Sequence, residues 1–186
     1  NAINGVLDIP LTGEGTDITD VKDIFKQTDK PTVDALFCVD NSGSMDDEQT
    51  GLSSNFPTFL NYATSLNIDY QMGVVTSEIN EAEKGDTGDM IYPGVLFQRQ
   101  GYARIAANFP PNPATPPYQP AGNPLGTITA NTMPGTCCSG EQESGMESVR
   151  MALTDPNIND DQANKGFLRK YGKLVVIMMS DEEDQS

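Results

Sequence analysis

Three short apolar runs along the chain predict buried β-strands. They are Val33–Val39, Asp69–Thr76 and Leu174–Met179. The centre of each run is apolar and carries β-branched residues, as expected of a strand that is covered on both faces. Such strands belong to parallel sheets, so the chain is expected to form an α/β fold.

Helical periodicity separates these runs. After the first run, apolar residues recur mostly at three- and four-residue spacing, which favours an amphipathic helix. They are Leu52, Phe56, Phe59, Leu60, Ala63 and Leu66. Pro57 interrupts this pattern, so a kink or an early break is expected there. A second helical pattern, Gly145–Leu153, precedes the third run. The order strand, helix, strand predicts a right-handed crossover and parallel pairing.

The segment ahead of Pro31 is expected to form a separate unit. Alternating apolar positions over Ile3–Thr12 predict one strand, and the polar stretch that follows Gly13 is typical of a linker. The domain boundary is therefore placed after residue 30, with the main domain over residues 31–186.

The region between Asn80 and Thr136 lacks a clear pattern. Its prolines, from Pro110 to Pro124, predict an extended surface loop. One more strand is expected near Val95–Gln98.

Composition and charge narrow the classes of function. Apolar residues make up 37% of the chain, which is enough for a packed core. The chain has 27 acidic against 11 basic residues, a formal charge of −16, so binding of nucleic acid is not expected. The longest apolar run, Leu174–Met179, is far shorter than the ~20 residues that span a bilayer, so no transmembrane segment is expected.

The residues that are missing restrict the chemistry further. The sequence has no His, which excludes Ser-His-Asp and Cys-His catalysis and His-containing zinc sites. Its three Cys are too few for a four-cysteine zinc site. Any bound metal is therefore expected to have oxygen ligands, which favours Mg²⁺, Ca²⁺ or Mn²⁺.

Oxygen-bearing side chains follow two of the predicted strands. Asp40 stands at the carboxyl end of the first strand and Asp181 at the carboxyl end of the third. If these strands are parallel neighbours, both carboxylates reach the same edge of the sheet, where ligands bind in open α/β folds. Ser42 and Ser44 lie in the loop between strand and helix. Two carboxylates and two hydroxyls that converge make a site for a hard cation.

Each residue of this group also has a plain structural interpretation. Ser44 with Asp47 is close to a capping-box pattern, and the acidic residues over 46–48 suit the start of a helix. Asp40 could merely begin a turn, and the acidic run from Asp181 could be a solvated loop. The occurrence of all of them at matching strand ends favours the cation site.

Val39–Met45, with the sequence VDNSGSM, resembles the metal-ion-dependent adhesion site of von Willebrand factor A (VWA) domains, whose pattern is D-x-S-x-S after the first strand. Leu174–Asp181 is similar to the fourth strand of that family, with the second metal-associated Asp at its end. Blocks at 143–147, 166–169 and 180–184 resemble a bacterial surface-associated or lipoprotein branch of the family.

The resemblance, in scattered blocks over roughly residues 33–186, implies a three-layer Rossmann-like fold with a mostly parallel central sheet flanked by helices. In that branch the domain can follow an immunoglobulin-like module, and Leu11–Gly15 is similar to the end of such a module. VWA domains continue past the fourth strand. The domain is therefore expected to be incomplete at its carboxyl end, which leaves a sheet edge open.

The resemblance also implies a ligand set. Ser42 and Ser44 would coordinate the metal directly, and Asp40 and Asp181 directly or through water. The family adds a Thr from a later loop, but no Thr stands next to Gly145. Glu143 is favoured for that place, and Thr136 is the alternative. The cation is expected to be Mg²⁺, with Mn²⁺ or Ca²⁺ as alternatives.

The cysteines bear on the compartment. Cys38 lies inside a predicted strand and is expected to be a buried core thiol. Cys137-Cys138 lies in the loop that leads to Glu143. One of that pair is expected to bond a cysteine beyond residue 186, and a disulfide between the two neighbours is the alternative. Both require an oxidising compartment, so the protein is expected to be extracellular or periplasmic. The resemblance implies that it is associated with the cell surface.

Three functions compete. The first is a binding module in which an Asp or Glu of a partner protein completes the coordination of the cation. The second is a metal-dependent hydrolase of the phosphoesterase kind, since acidic loops at strand ends also serve phosphoryl transfer. Phosphatases with an Asp nucleophile usually carry a second Asp two residues on, where this chain has Ser42. The third is a structural domain with a degenerate site, which the intact D-x-S-x-S disfavours. The first is preferred, so no enzymatic activity is expected.

Overall fold

The computed structural model describes residues 2–3, 6–7, 31–66, 68–107, 124–137, 144–159 and 162–186. The strands are β1 (Ala2–Ile3), β2 (Val6–Leu7), β3 (Thr32–Val39), β4 (Asp69–Thr76), β5 (Glu83–Lys84), β6 (Met90–Ile91), β7 (Ile105–Ala107) and β8 (Lys173–Met179). The helices are α1 (Asp46–Ser65), which a 3-10 turn at Gly43–Met45 precedes, α2 (Pro124–Asn131) and α3 (Gly145–Leu153).

A four-stranded mixed sheet organises the fold. Its order is β7-β4-β3-β8, and β3 pairs in parallel with both β4 and β8, whereas β7 runs antiparallel to β4. The predicted α/β fold with a mostly parallel sheet is therefore confirmed. Val39 is in register with Thr76 on one side and with Met179 on the other, so the three parallel strands end at the same edge.

Helices cover both faces of the sheet because β3 alternates between two apolar clusters. Phe37 and Val39 point to the face that Phe56 and Leu60 of α1 cover. The Phe37 and Phe56 rings meet edge to face, with centroids 5.0 Å apart. Leu36 and Cys38 point to the opposite face, among Val75, Ala152 and Phe167. A fully buried ring or branched side chain of this kind contributes roughly 1.5–3 kcal/mol to stability.

The helix α1 runs through Pro57 without a break. Of the two expected outcomes, a kink or an early break, the early break was wrong. A proline inside a helix removes one backbone hydrogen bond and costs about 3 kcal/mol. Here Phe56 and Leu60 are 3% and 0% exposed in the core on either side of it. Packing of this face against the sheet offsets the local cost.

No strand forms at Val95–Gln98, contrary to the expectation. The amide of Phe97 donates to the Val74 carbonyl at 2.7 Å, as a strand beside β4 would. The amide of Leu96 instead donates to the side chain of Asn164 at 2.8 Å. The ladder therefore does not extend, and β7 pairs with β4 in its place.

At the amino-terminal end, β1 and β2 pair antiparallel, with Ala2 opposite Leu7 and Ile3 opposite Val6. The single strand expected from Ile3 to Thr12 is therefore not formed over its first residues. The rest of that segment, and the linker expected after it, lie outside the described residues.

Arg169 joins the amino-terminal ends of β3 and β4. Its guanidinium Nε lies 2.6 Å from Asp34 Oδ1, and its Nη1 lies 2.9 Å from Asp69 Oδ1. The Asp34 side chain is 1% exposed, so this ion pair is buried on the carboxylate side. Arg169 thus fixes the strands at the edge opposite to their aligned carboxyl ends.

The strand β8 is the most exposed part of the sheet. Its apolar side chains Leu174, Val175, Val176 and Met178 are 38–44% exposed. Within the part of the chain that the structure describes, β8 pairs only with β3. None of the helices in the described ranges combines the length and the apolar character that crossing a membrane requires.

Candidate metal centre

The register of the sheet sets three polar residues side by side. Because Val39 pairs with Thr76 and Met179, the next residues of the three strands are Asp40, Ser77 and Ser180. The amide of Asp40 donates to the Met179 carbonyl at 2.9 Å, which carries the ladder one step past β3. Asp40 therefore lies between two serines at the carboxyl edge of the sheet.

The carboxylate of Asp40 is buried and hydrogen-bonded at both oxygens. The residue is 1% exposed. Its Oδ1 accepts from the Ser42 amide at 2.8 Å and from the Ser77 hydroxyl at 3.2 Å. Its Oδ2 accepts from the Ser180 hydroxyl at 2.7 Å. These donors compensate for the loss of water around a buried charge.

The other three oxygen-bearing residues form a short chain at the surface. Ser42 Oγ lies 3.1 Å from Ser44 Oγ. Ser44 Oγ in turn donates to Asp181 Oδ1 at 3.3 Å. Ser44 and Asp181 are exposed and Ser42 is half-buried, so solvent reaches this group. The structure thus brings together the four residues Asp40, Ser42, Ser44 and Asp181, which the sequence predicted to converge.

The spacing of these oxygens suits a hard cation. Neighbouring ligands around an octahedral ion lie about 1.4 metal–oxygen distances apart, which is about 3.0 Å for Mg²⁺ and about 3.4 Å for Ca²⁺. The two separations of 3.1 and 3.3 Å fall in that range. Hydroxyl and carboxylate oxygens are also the donors that such ions prefer.

Two residues, Glu143 and Thr136, were candidates for the loop ligand, and the structure describes only one of them. Glu143 lies outside the described residues. Thr136 is described, and its hydroxyl donates to Asp86 Oδ2 at 3.3 Å, while its amide donates to Asp86 Oδ1 at 3.1 Å. The contacts of Thr136 are therefore with Asp86 and not with the group around Asp40.

The helix-capping interpretation of Ser44 has no support in the contacts. Its hydroxyl bonds Ser42 and Asp181, and no hydrogen bond joins it to the Asp47 amide. Ser42, which precedes the 3-10 turn, also makes no side-chain capping bond. Asp46, Asp47 and Glu48 do lie in the first turn of α1, as that interpretation expected.

Gln49 supports the loop from beneath. It is 1% exposed, and its Nε2 donates to the carbonyl of Asp40 at 2.7 Å. Its Oε1 accepts from the Gly135 amide at 2.9 Å. Gly135 has a φ of +87°, and an added Cβ would lie 2.4 Å from Asp86 Oδ1, so only glycine fits there. Gln49 thus ties the loop after β3 to the segment that carries Thr136.

The acidic segment after β8 contacts the start of α3. Asp184 Oδ1 accepts from the Met146 amide at 3.0 Å, and the Ser186 hydroxyl accepts from the Glu147 amide at 3.0 Å. The hydrogen bond from the Met146 amide is the largest cause that holds the pKa of Asp184 below its usual value. A cavity of about 230 Å³ lies between this contact and Asp40.

Cys38 is one of the residues that line that cavity. The residue is 2% exposed, and burial, with Asp40 and Asp184 nearby, raises the pKa of its thiol to about 12. It is a free thiol, as the sequence predicted for a core cysteine. An added Cβ on Gly145 would lie 2.8 Å from Met178 Cε and 3.3 Å from Cys38 Sγ, so α3 approaches β3 and β8 closely there.

Cys137 is disulfide-bonded, and its partner falls outside the described residues. The amide of Cys137 donates to the Asn41 carbonyl at 2.9 Å, and the Asn41 side-chain amide contacts Cys137 Sγ at 3.4 Å. The disulfide-bearing loop is therefore anchored beside the residue that follows Asp40.

Sequence reasoning missed Ser77, Ser180 and Gln49. The two serines follow strands whose ends were predicted, so the parallel pairing and its register would have identified them. Gln49 lay inside the predicted helix, where nothing in the local pattern distinguishes a buried amide from an exposed one.

Within the described ranges, no three Cys, Asp or Glu side chains are grouped as the ligands of one metal ion. The candidate centre is of another kind, since it combines two carboxylates with serine hydroxyls. Two carboxylates balance the charge of a divalent cation, and the uncharged hydroxyls leave coordination positions that water can occupy. Such a cation can accept a further carboxylate from outside the protein.

The chain was compared with protein-family models, with curated proteins and with solved structures, and none of the three comparisons found a match.

Proposed function

We propose that this chain is a VWA-type, divalent-cation-dependent protein-binding module. A Mg²⁺ ion, or Mn²⁺ or Ca²⁺ in its place, is held at the carboxyl edge of the sheet. An Asp or Glu of a partner protein completes its coordination. The observation that carries the proposal is the convergence of Ser42, Ser44 and Asp181 above the buried Asp40.

The geometry assigns different roles to these residues. Ser42, Ser44 and Asp181 are accessible, so they would hold the cation directly. Asp40 lies beneath them and would contribute its charge from below, through the shared loop or through water. Glu143 remains the proposed loop ligand, because it stands just ahead of α3.

The fold supports the same proposal. The α/β fold has a mostly parallel mixed sheet with helices on both faces and a loop-to-helix turn directly after β3, which is compatible with the proposed VWA-type domain. In open α/β sheets a ligand binds beyond the carboxyl ends of the strands, where these residues lie. The acidic surface, with a formal charge of −16, favours cations and basic neighbouring surfaces.

The disulfide at Cys137 supports a setting outside the reducing cytoplasm. We place the protein in the extracellular or periplasmic space, at a cell surface. Binding of a partner there by one metal-bridged carboxylate requires no chemical step, so the proposed function is not enzymatic.

The open coordination position can be tested with Mn²⁺, because this paramagnetic ion speeds the relaxation of the protons of the water bound to it. Water-proton relaxation is measured on the Mn²⁺-loaded protein while N-acetyl-aspartate amide is added. The proposal expects the relaxation enhancement to fall as the carboxylate displaces water. Ser44→Ala should bind Mn²⁺ more weakly, whereas Ser54→Ala, on the exposed surface of α1, should behave as the parent. Strong Mn²⁺ binding with no response to the carboxylate would contradict an adhesion role.

A further inference from the structure

The buried carboxylate of Asp40 has a serine hydroxyl on each side, and each serine comes from a different strand. Ser77 follows β4 and Ser180 follows β8, and the parallel register places both opposite Asp40. Ser77 donates to Oδ1 at 3.2 Å and Ser180 to Oδ2 at 2.7 Å. The two ends of the carboxylate are thus fixed from opposite directions.

We infer that Ser77 and Ser180, the flanking serines, are positioning residues of the cation site. They hold the Asp40 carboxylate in the orientation in which it serves the cation. This inference rests on the proposed function, and it assigns to the site two residues outside the D-x-S-x-S pattern.

The type of donor is the first argument. A carboxylate with only the Ser42 amide on one oxygen could rotate about its Cβ–Cγ bond. A second donor on the other oxygen removes that freedom, and Ser180 supplies it. Hydroxyl donors carry no positive charge, so they orient the carboxylate without neutralising it. A cation nearby therefore still experiences the charge of Asp40.

The second argument is the difference between the two serines. Ser180 makes the shorter bond. Each hydroxyl has one hydrogen and two acceptors within reach. Ser77 lies 3.2 Å from both Asp40 Oδ1 and Asn41 Oδ1, so neither acceptor is favoured by distance. Ser180 lies 2.7 Å from Asp40 Oδ2 and 3.2 Å from the Glu182 carbonyl, so its distances favour Asp40. We therefore expect Ser180 to contribute more than Ser77 to cation affinity.

The test compares two variants of the same shape, Ser180→Thr and Ser180→Val. They differ in that Val has a methyl group where Thr has the hydroxyl. The exposed position of Ser180 leaves room for the added methyl groups. Free Mn²⁺ is measured by electron paramagnetic resonance during titration of metal-free protein, and thermal unfolding without metal confirms that each variant is folded. Ser77→Ala is measured beside them, and Ser54→Ala is the control for loss of a serine hydroxyl elsewhere.

Loss of an outer hydrogen bond to a metal site commonly weakens affinity by about 10- to 100-fold. The Val variant should show a Kd raised by that factor, the Thr variant should bind as the parent does, and Ser77→Ala should show a smaller rise. If the Val variant does not fold, Ser180→Ala takes its place. Equal affinities of the Thr and Val variants would overturn the inference while leaving the cation site intact. A parent that binds no Mn²⁺ would overturn both the inference and the proposed function.

Discussion

Ser44 Oγ lies 3.3 Å from Asp181 Oδ1, although 137 residues separate the two in the chain. The contact exists because β3 and β8 are parallel neighbours that end together, so the loop after each strand rises from the same edge of the sheet. Neither residue is held there by apolar packing, since both are exposed. The pairing of the strands therefore brings the two loops together across the candidate centre.

Removal of the Gln49 side chain should destabilise the protein and loosen the loop around Asp40. Gln49→Ala removes the buried hydrogen bonds of the Gln49 amide to the Asp40 carbonyl and to the Gly135 amide. We expect a loss of about 1–3 kcal/mol in the free energy of unfolding, measured with urea. Gln98→Ala, at an exposed glutamine, should change the value by less than ~0.5 kcal/mol. An equal effect of the two substitutions would show that the bridge does not support the loop.

Arg169→Met should be more damaging than the loss of an exposed arginine. It leaves Asp34, whose side chain is 1% exposed, as a buried carboxylate without its cation. Loss of one partner of a buried pair costs about 3–5 kcal/mol. Arg150→Met is the matched control, because Arg150 is exposed and pairs with Glu147 of the same helix. Chemical denaturation measures the free energy of unfolding of both variants. Similar losses in the two would mean that the ion pairs of Arg169 do not stabilise the fold more than an exposed pair does.

Much of the sheet could be predicted from local pattern, because buried parallel strands are continuous apolar runs. Asp69–Thr76 was predicted with its observed bounds, and β3 and β8 each begin one residue earlier than predicted. The short strand β7 could not be predicted. Its three residues form a strand only because β4 offers an open edge, which is a property of the assembled sheet.

The candidate centre, like the sheet, could be predicted from the sequence only in part. Asp40, Ser42 and Ser44 lie within five residues and form a recognisable motif, and Asp181 ends a predictable strand. Which serines hold Asp40 depends on the register between strands, which local sequence does not contain. Pro57 shows the converse case, since a strong local signal was overruled by packing of α1 on the sheet.

Cys38 should resist thiol reagents in the folded protein. The residue is 2% exposed, and burial is the main cause of a thiol pKa of about 12, so little thiolate exists at neutral pH. We expect Cys38 to be alkylated by iodoacetamide very slowly in native buffer and rapidly in guanidinium, as followed by mass spectrometry of the peptide that contains it. Rapid alkylation of Cys38 in native buffer would contradict its buried position.

The contact between Asp184 and α3 should give a dependence on acid pH. The pKa of Asp184 is lowered in the fold by the Met146 amide, so its stabilising contribution is fully present above the ordinary pKa of Asp, ~3.9. The contribution is lost as the pH falls through the lower, folded value. The melting temperatures of the parent and of Asp184→Asn should therefore differ at pH 6 and converge in strong acid. A difference in melting temperature that does not change with pH would show that the charge of Asp184 does not stabilise the fold.

The cation site itself is tested most directly by thermal unfolding with and without Mg²⁺, Mn²⁺ or Ca²⁺ at matched ionic strength. The parent is compared with Asp40→Asn and with Asp155→Asn, which makes the same change of charge at an exposed position past the carboxyl end of α3. A cation at a hundred times its Kd should stabilise the parent by about 2.7 kcal/mol. For a domain of this size that is a rise in Tm of roughly 5–10 °C. The account predicts this rise in the parent and in Asp155→Asn and its loss in Asp40→Asn. Equal rises in all three would mean that the cation only screens the negative charge, and no rise in the parent would contradict the site.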